Sequence, residues 1–193
     1  MKIVLASKSE VRKKILEENN IDCEVIVSNV DEDQAKESLL DAGADPLLIS
    51  KNLAELKSIK ISKSIADKLV LGADSVVSLN NKLINKPKNR EEALKILCEL
   101  NDSKHYLISS VCISKNGSMV WNYSEKSELV MKNHSEKELK EYLEKIKTST
   151  LLAYGVYQIE ADGLNLFKSI KGDMNSIMGL PIKKIKEYLE IQK

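Results

Sequence analysis

The spacing of apolar positions changes along the chain, and each change predicts a different element. Ile3–Ala6 is a short continuous apolar run typical of a strand, and apolar residues then follow helical spacing to about Asn19. The run Leu69–Leu79 is rich in β-branched residues and too continuously apolar for a surface helix, so it predicts a central strand. Arg90–Leu100 has the apolar face of an amphipathic helix.

The second half of the chain favours strands over helices. Asn116-Gly117 is a hairpin signal between the predicted strands Leu107–Ile113 and Met119–Tyr123. Ser135 with Glu138 forms a capping box, and a terminal helix begins at about Ile182. Further short strands are predicted at Glu24–Val27, Glu128–Met131, Val156–Ile159 and Leu164–Ile170. The pattern as a whole predicts a mixed α/β fold whose sheet is not wholly parallel.

Composition narrows the class of protein. The length of 193 residues and the 42% hydrophobic content suit one domain over residues 1–193, with two lobes as an option. Thirty basic and 29 acidic residues leave a formal net charge of +1, which argues against a protein that coats nucleic acid. The three widely spaced cysteines indicate reduced core thiols and a cytoplasmic location. Neither a secretory leader nor an apolar segment of roughly 20 residues is evident, so no membrane association is expected.

The residues after the first predicted strand favour binding of an anion. Ser7 and Ser9 lie in a small turn before a helix, whose free backbone N–H groups attract negative charge. Arg12 falls near the first turn of that helix, where a cation would oppose the helix dipole unless an anion were present. Its guanidinium can bind a phosphate through two parallel N–H bonds.

A carboxylate interrupts the central apolar run at Asp74. An acid in such a run is retained when it is paired, hydrated or bound to a metal, although a hydrogen bond to a neighbouring loop is the alternative. Lys86 precedes Pro87, which stiffens its loop. Lys57 lies in a predicted helix, and for any lysine of so charged a chain a solvated surface position is the ordinary expectation. Neither His105 nor His134 accompanies a reactive serine or cysteine, so attack by water is favoured over a covalent intermediate.

Four segments, taken in order, resemble the Maf family of nucleoside triphosphate pyrophosphatases. The family pattern reads Leu-Ala-Ser-x-Ser-Pro-Arg-Arg, Gly-Ala-Asp-Thr-Val-Val, Lys-Pro and Gly-Leu-Pro, and this chain carries Leu5–Arg12, Gly72–Val77, Lys86-Pro87 and Gly179–Pro181 in the same order. The resemblance covers nearly the whole chain. It implies a curved mixed β-sheet flanked by helices, with two lobes around a nucleotide cleft, and commonly a homodimer.

The resemblance also implies residue roles. Asp74 would accept the proton of the attacking water and, with Glu32, hold a divalent cation, Mg²⁺ or Mn²⁺. An exposed acidic loop is the alternative for Glu32. The residues that would bind the triphosphate are Ser7, Ser9, Arg12, Lys57 and Lys86, and the two serines could also serve as helix caps.

Three positions bear on the base. The branch acting on dTTP and UTP has Gln at the position of Glu160. The branch acting on 7-methyl-GTP has Glu there, as this chain does. A carboxylate offers two acceptors to the N1–H and N2–H of guanine, whereas an amide suits uracil or thymine. Val11 replaces an arginine and so removes a cation that would repel a methylated, positively charged base. Ser75 matches neither branch, so the positions divide between the two substrates and, taken together, favour 7-methylguanine.

The sequence therefore predicts a metal-dependent hydrolase that splits a nucleoside triphosphate, a noncanonical one such as 7-methyl-GTP, into monophosphate and pyrophosphate. One alternative is a dTTP and UTP pyrophosphatase of the same family. The other is a nucleotide-binding regulatory module without turnover. The expected partners are a small-molecule nucleotide and a second copy of the chain, rather than nucleic acid.

Overall fold

One mixed sheet organises the protein, whose computed structural model describes residues 2–159 and 162–192. In this part of the chain the strands run in the order β2-β1-β3-β5-β6-β7, with β4 paired to β3. β1 is parallel to β2 and to β3, and the other pairs are antiparallel. The strands are β1 (Ile3–Leu5), β2 (Cys23–Val25), β3 (Val70–Leu79), β4 (Lys82–Ile84), β5 (Lys104–Lys115), β6 (Ser118–Met131) and β7 (Phe167–Lys171).

Helices flank this sheet, and local signals explain where several of them begin. Ser9, Asp31, Asp45 and Asn89 accept hydrogen bonds as N-caps, and Ser135 with Glu138 completes the predicted capping box. The helices are α1 (Glu10–Glu18), α2 (Glu32–Asp41), α3 (Pro46–Ser62), α4 (Arg90–Leu100), α5 (Glu136–Glu144), α6 (Thr148–Tyr154), α7 (Met174–Ile177) and α8 (Ile182–Ile191). A 3₁₀ helix covers Asp162–Leu166. No helix of the described segments is long and apolar enough to cross a membrane.

The two ends of the long strands β3 and β5 carry separate apolar clusters. Leu79 and Leu107 pack with α4, α5 and α6 at one end. Leu71, Val111 and Ile113 pack with α1 and α8 at the other. The middle of β3 therefore lies between two lobes, which confirms the predicted fold class of a mixed sheet flanked by helices.

Close packing of α3 on β3 depends on Gly72. A Cβ atom at this position would lie 2.1 Å from the Ala54 carbonyl oxygen and 2.7 Å from the Ser58 backbone nitrogen. Since both neighbours are backbone atoms, a larger residue would push the helix away from the sheet. Gly72 therefore lets Lys57, on the next turn of α3, reach the adjacent Asp74 on β3.

Four predicted strands differ from the structure. Val156–Ile159 is not a strand and pairs with no neighbouring strand. Its apolar pattern reflects burial of Val156, Tyr157 and Ile159 in the larger cluster. Leu164–Ile170 divides into the end of the 3₁₀ helix and β7. The predicted strands Met119–Tyr123 and Glu128–Met131 belong to one continuous strand, β6. A short apolar run has no periodicity that distinguishes a strand from another buried segment, so burial in the core explains such a run as well as a strand does.

His105 is fully buried in the larger cluster. Its Nε2 lies 3.1 Å from the Tyr157 hydroxyl, and its ring contacts Tyr157 and Phe167 at centroid distances of 5.7 and 5.8 Å. Its Nδ1 is buried without a hydrogen-bond partner among the described residues. A proton added to this ring would therefore be poorly compensated.

Acid should destabilise the fold through His105. Burial lowers the pKa of this imidazole from 6.5 to about 4. Between those values the unfolded chain binds the proton more tightly, so the free energy of unfolding should fall as the pH drops through this window, by roughly 3 kcal/mol from this group. Urea unfolding near pH 7 and near pH 4 should show this loss in the wild type. His105→Gln, which keeps a hydrogen-bonding group but cannot titrate, should lose less over the same interval; an equal loss would contradict the assignment.

Candidate active site

A cleft of about 450 Å³ opens over the middle of β3. One part of its lining is polar, and the other is apolar and continuous with the cluster around α4. The polar part brings together all the described residues that the sequence predicts for phosphate and metal: Ser7, Ser9, Arg12, Glu32, Lys57, Asp74 and Lys86. The apolar part includes Val77, Ile84, Ile96, Leu100, Leu107, Ile159 and Ile177. Such a cleft suits a ligand with a charged end and a flat or apolar end.

Lys57 joins two carboxylates at the polar end. Its Nζ lies 2.9 Å from Asp74 Oδ1 and 3.0 Å from Glu32 Oε2. Lys57 is only 6% exposed, so the ordinary expectation of a solvated lysine is wrong here. The position of Asp74 is supported from α3 as well, because Ser50 Oγ donates a hydrogen bond to the Asp74 carbonyl oxygen over 3.2 Å.

The two carboxylates suit a hard divalent cation. Asp74 Oδ2 is buried and has no hydrogen-bond partner in the described part of the chain. Burial would raise the pKa of Glu32, but the charge of Lys57 and its hydrogen bond outweigh this and hold that pKa below its ordinary value. No group of three or more His, Cys, Asp or Glu side chains among the described residues could hold a metal. Two carboxylates nevertheless fit Mg²⁺, which commonly takes its other ligands from water and substrate phosphates.

Arg12 connects three of the motif segments. Its Nε donates to the Gly179 carbonyl at 3.1 Å, its Nη1 to the Ala73 carbonyl at 3.0 Å and to Ser7 Oγ at 3.4 Å, and its Nη2 to Ser75 Oγ at 3.1 Å. These acceptors satisfy the cation without an anion, so the helix-dipole argument for a phosphate at Arg12 loses its force. Binding a phosphate through two parallel N–H bonds would require at least one of these contacts to open.

The glycine of the closing Gly-Leu-Pro motif is required by its contact with Arg12. Gly179 has φ of 108°, a left-handed conformation that favours glycine. A Cβ atom there would also lie 3.0 Å from Arg12 Nε. Glycine therefore allows both the turn and the close approach of the guanidinium to the Gly179 carbonyl.

The predicted serines have mixed roles. Ser9 caps α1, accepting a hydrogen bond from the Arg12 backbone N–H at 3.4 Å. Ser7 Oγ accepts one from the Ser9 backbone N–H at 3.2 Å. Ser75 Oγ lies 2.8 Å from Ser109 Oγ on β5, its cross-strand partner. Ser7 and Ser9, between β1 and α1, can therefore both stabilise the start of the helix and line the cleft.

Lys86 and Val11 are the remaining predicted site residues, among those that the structure describes, that line the cleft. Lys86 is exposed to the cleft, and its partial dehydration there lowers the pKa of its ammonium, while Glu32 and Asp74 act in the opposite direction. Val11 lines the cleft and packs against the smaller cluster of α1 and α8. Glu160 lies outside the described residues.

Sequence reasoning missed the apolar part of the cleft and Tyr154. The apolar residues come from β3, β4, α4, β5, the segment after α6 and α7, and each of them has the sequence pattern of an ordinary core residue. Tyr154 ends a helix that the sequence did not predict. No local signal distinguishes these residues, because only the packing of distant elements opens a cavity beside them.

The fold and the cleft define a mixed α/β protein with a cleft lined by charged side chains of both signs. A sequence model described as Maf-like protein matches residues 2–192, and the chain belongs to this family. The resemblance seen in the motifs is thereby confirmed.

Relatives and a solved structure agree with this membership. The chain is 61% identical over 191 residues to a nucleoside triphosphate pyrophosphatase of Pelagibacter ubique, covering 99% of this chain and 98% of the relative. It is 36% identical over 190 residues to one of a Ruegeria species, covering 98% and 96%. The structure of the Staphylococcus aureus Ham1 protein matches the whole of both chains with a TM-score of 0.50 and 17% identity, a likeness of fold alone.

Proposed function

We propose that this chain is a metal-dependent nucleoside triphosphate pyrophosphatase that cleaves between the α and β phosphates. The observation that carries the proposal is the buried Lys57, which bridges Asp74 and Glu32 at the polar end of a cleft whose other end is apolar. The names of the two relatives support the same activity. We also propose that residues 1–193 act as a single domain.

Charge complementarity accounts for substrate binding in this proposal. A triphosphate carries about four negative charges, and its hydrolysis requires their neutralisation. Lys86 extends into the cleft, and Lys57 lies at its floor between the carboxylates. Backbone N–H groups at the start of α1 add a favourable field for an anion. Arg12 keeps the three motif segments in register around this site.

Asp74 would act as the proton acceptor. Its Oδ1 is held by Lys57, whereas its Oδ2 has no hydrogen-bond partner among the described residues and can accept a proton from water. Glu32 and Asp74 would together hold a divalent cation. When bound, such a cation supplies neutralisation of phosphate charge.

A turnover panel tests the activity. Purified protein is incubated with Mg²⁺ or Mn²⁺ and each of 7-methyl-GTP, GTP, dTTP and UTP, and both pyrophosphate and orthophosphate are measured. Pyrophosphate together with the nucleoside monophosphate is expected, and excess EDTA should abolish its release. Orthophosphate as the first product would indicate cleavage at the γ phosphate. Binding without any product would indicate the regulatory module instead.

Base preference is proposed to favour 7-methyl-GTP through Glu160. In Glu160→Gln the side chain keeps its length but one acceptor becomes a donor, which would face a guanine N–H. A mispaired buried donor costs roughly 1–3 kcal/mol, or about one to two decades in relative efficiency. The ratio of kcat/KM for 7-methyl-GTP to kcat/KM for UTP should therefore fall by that factor. Glu144→Gln, at the exposed end of α5, is the matched control, and an unchanged ratio in Glu160→Gln would remove this residue from base recognition.

A homodimer is the remaining partner proposal, suggested by the family resemblance. Sedimentation equilibrium of the purified chain with and without nucleotide measures it directly. A single species of monomer mass in both conditions would reject it.

A further inference from the structure

Tyr154 presents an exposed aromatic ring to the cleft. Two aromatic residues line the described part of the cleft, Tyr154 and Tyr157. Tyr157 is only 7% exposed and packs against His105 and Phe167, so its ring belongs to the core. Tyr154 is 46% exposed, which leaves much of its ring available to a ligand.

The elements around Tyr154 fix its place between the two parts of the cleft. Tyr154 lines the same cleft as Arg12, which belongs to the polar part. The next residues, Gly155 and Val156, continue along the cleft, and Val156 belongs to the apolar cluster. Tyr154 therefore lies where a ligand would pass from its charged part to its flat part.

Helix α6 holds this position. Leu151 is fully buried, and the Gly155 backbone N–H donates to its carbonyl at 2.9 Å. At the other end of α6, Arg90 Nη2 donates to Thr148 Oγ1 at 3.0 Å. Gly155 then turns the chain with φ of 100°. The ring thus stands on a short but anchored helix rather than on an unrestrained loop.

We propose that Tyr154 is a specificity-determining residue whose ring stacks on the nucleobase and favours a positively charged purine. This inference rests on the proposed function, because it requires a nucleotide in the cleft. Stacking on an aromatic face stabilises any base, and the larger purine surface gains more than a pyrimidine. A base that carries a positive charge, as 7-methylguanine does, gains further from the negative face of the ring.

The main competing role for Tyr154 is a hydrogen bond from its hydroxyl to a phosphate. The two roles predict different variants. Tyr154→Phe keeps the ring and removes the hydroxyl, whereas Tyr154→Leu keeps an apolar side chain and removes the ring. Stacking predicts that Tyr154→Leu loses nucleotide affinity and that Tyr154→Phe does not. It also predicts that the size of the loss depends on the base. A phosphate contact predicts a loss in both variants that is the same for every base.

Binding is measured by calorimetry with α,β-methylene analogues of 7-methyl-GTP, GTP and UTP in the presence of Mg²⁺. In Tyr154→Leu the Kd for the 7-methyl-GTP analogue should rise about tenfold or more, with smaller rises for GTP and least for UTP. Tyr154→Phe should keep the wild-type values. Leu152→Ala, also exposed on α6, is the matched control and should change none of them. Equal losses for the three bases, or equal losses in the Phe and Leu variants, would overturn the proposal.

Fluorescence gives an independent readout. The chain has one tryptophan, Trp121, so a Trp121→Phe background allows Tyr154→Trp to report alone. Stacking predicts strong quenching of this tryptophan by the 7-methyl-GTP analogue, and unchanged emission at saturation would contradict it. Failure of the proposed activity can be distinguished from failure of the stacking proposal. If only the activity fails, nucleotide binding and quenching remain while no pyrophosphate is released.

Discussion

Asp74→Asn is expected to lower kcat for pyrophosphate release by at least about 100-fold, the usual scale for loss of a general base. The amide keeps the shape of the side chain but cannot take a proton from water. The fold should survive, because the amide oxygen can still accept from Lys57 and because Glu32 remains 3.0 Å from the Lys57 ammonium. The measurement is steady-state turnover with saturating substrate and metal, together with a thermal melt.

Asp33→Asn is the matched control for this variant. Asp33 is an exposed acid in the first turn of α2, one residue beyond Glu32. Its substitution removes the same charge near the cleft without touching Lys57, so turnover should stay within about twofold of the wild type. Near wild-type turnover in Asp74→Asn would refute the assignment of Asp74 as the proton acceptor.

Lys57→Met is expected to lower the free energy of unfolding by about 3–5 kcal/mol, the usual cost of breaking a buried ion pair on one side. The variant leaves the buried Asp74 carboxylate without its ion-pair partner, and the charges of Arg12 and Lys86 act on it only from beyond salt-bridge distance. Glu32 is 35% exposed on its side chain and can turn towards water, so most of the penalty should fall on Asp74. Urea unfolding at neutral pH measures the loss.

Two comparisons separate this charge effect from simple loss of packing. Lys51→Met changes an exposed lysine of the same helix and should shift stability by less than about 0.5 kcal/mol. In the double variant Lys57→Met with Asp74→Asn, removal of the unpaired charge should recover part of the loss. If Lys57→Met unfolds no more easily than Lys51→Met, the buried bridge is not a structural element.

Together these two variants test whether the site contributes to the fold as well as to the proposed chemistry. A buried ammonium between two carboxylates is costly to dehydrate and is retained where a function uses it, so stability and activity should fall together in Lys57→Met and separate in Asp74→Asn. The sequence alone suggests that neutralising Lys57 costs little stability, as for an exposed lysine. Its burial between α3 and β3, where it pairs with Asp74, reverses that expectation.

Local patterns in the sequence determined much of this protein. The apolar run Leu69–Leu79 predicted the central strand β3, and the amphipathic spacing of Arg90–Leu100 predicted α4 with its observed bounds. Ser135 and Glu138 predicted the start of α5, because a capping box is a contact within one turn. The order of the motifs was enough to place the chain in its family.

Tertiary structure alone decided how those pieces meet. Gly72 has no side chain, so α3 approaches β3 closely enough for Lys57 to reach Asp74, a distance that no local pattern encodes. Arg12 finds its acceptors on segments far along the chain, and the buried run Val156–Ile159 packs as a loop rather than a strand. Periodicity reports only whether a residue faces an interior. Which distant residues share that interior, and where a cleft remains open between them, depends on packing over the whole fold.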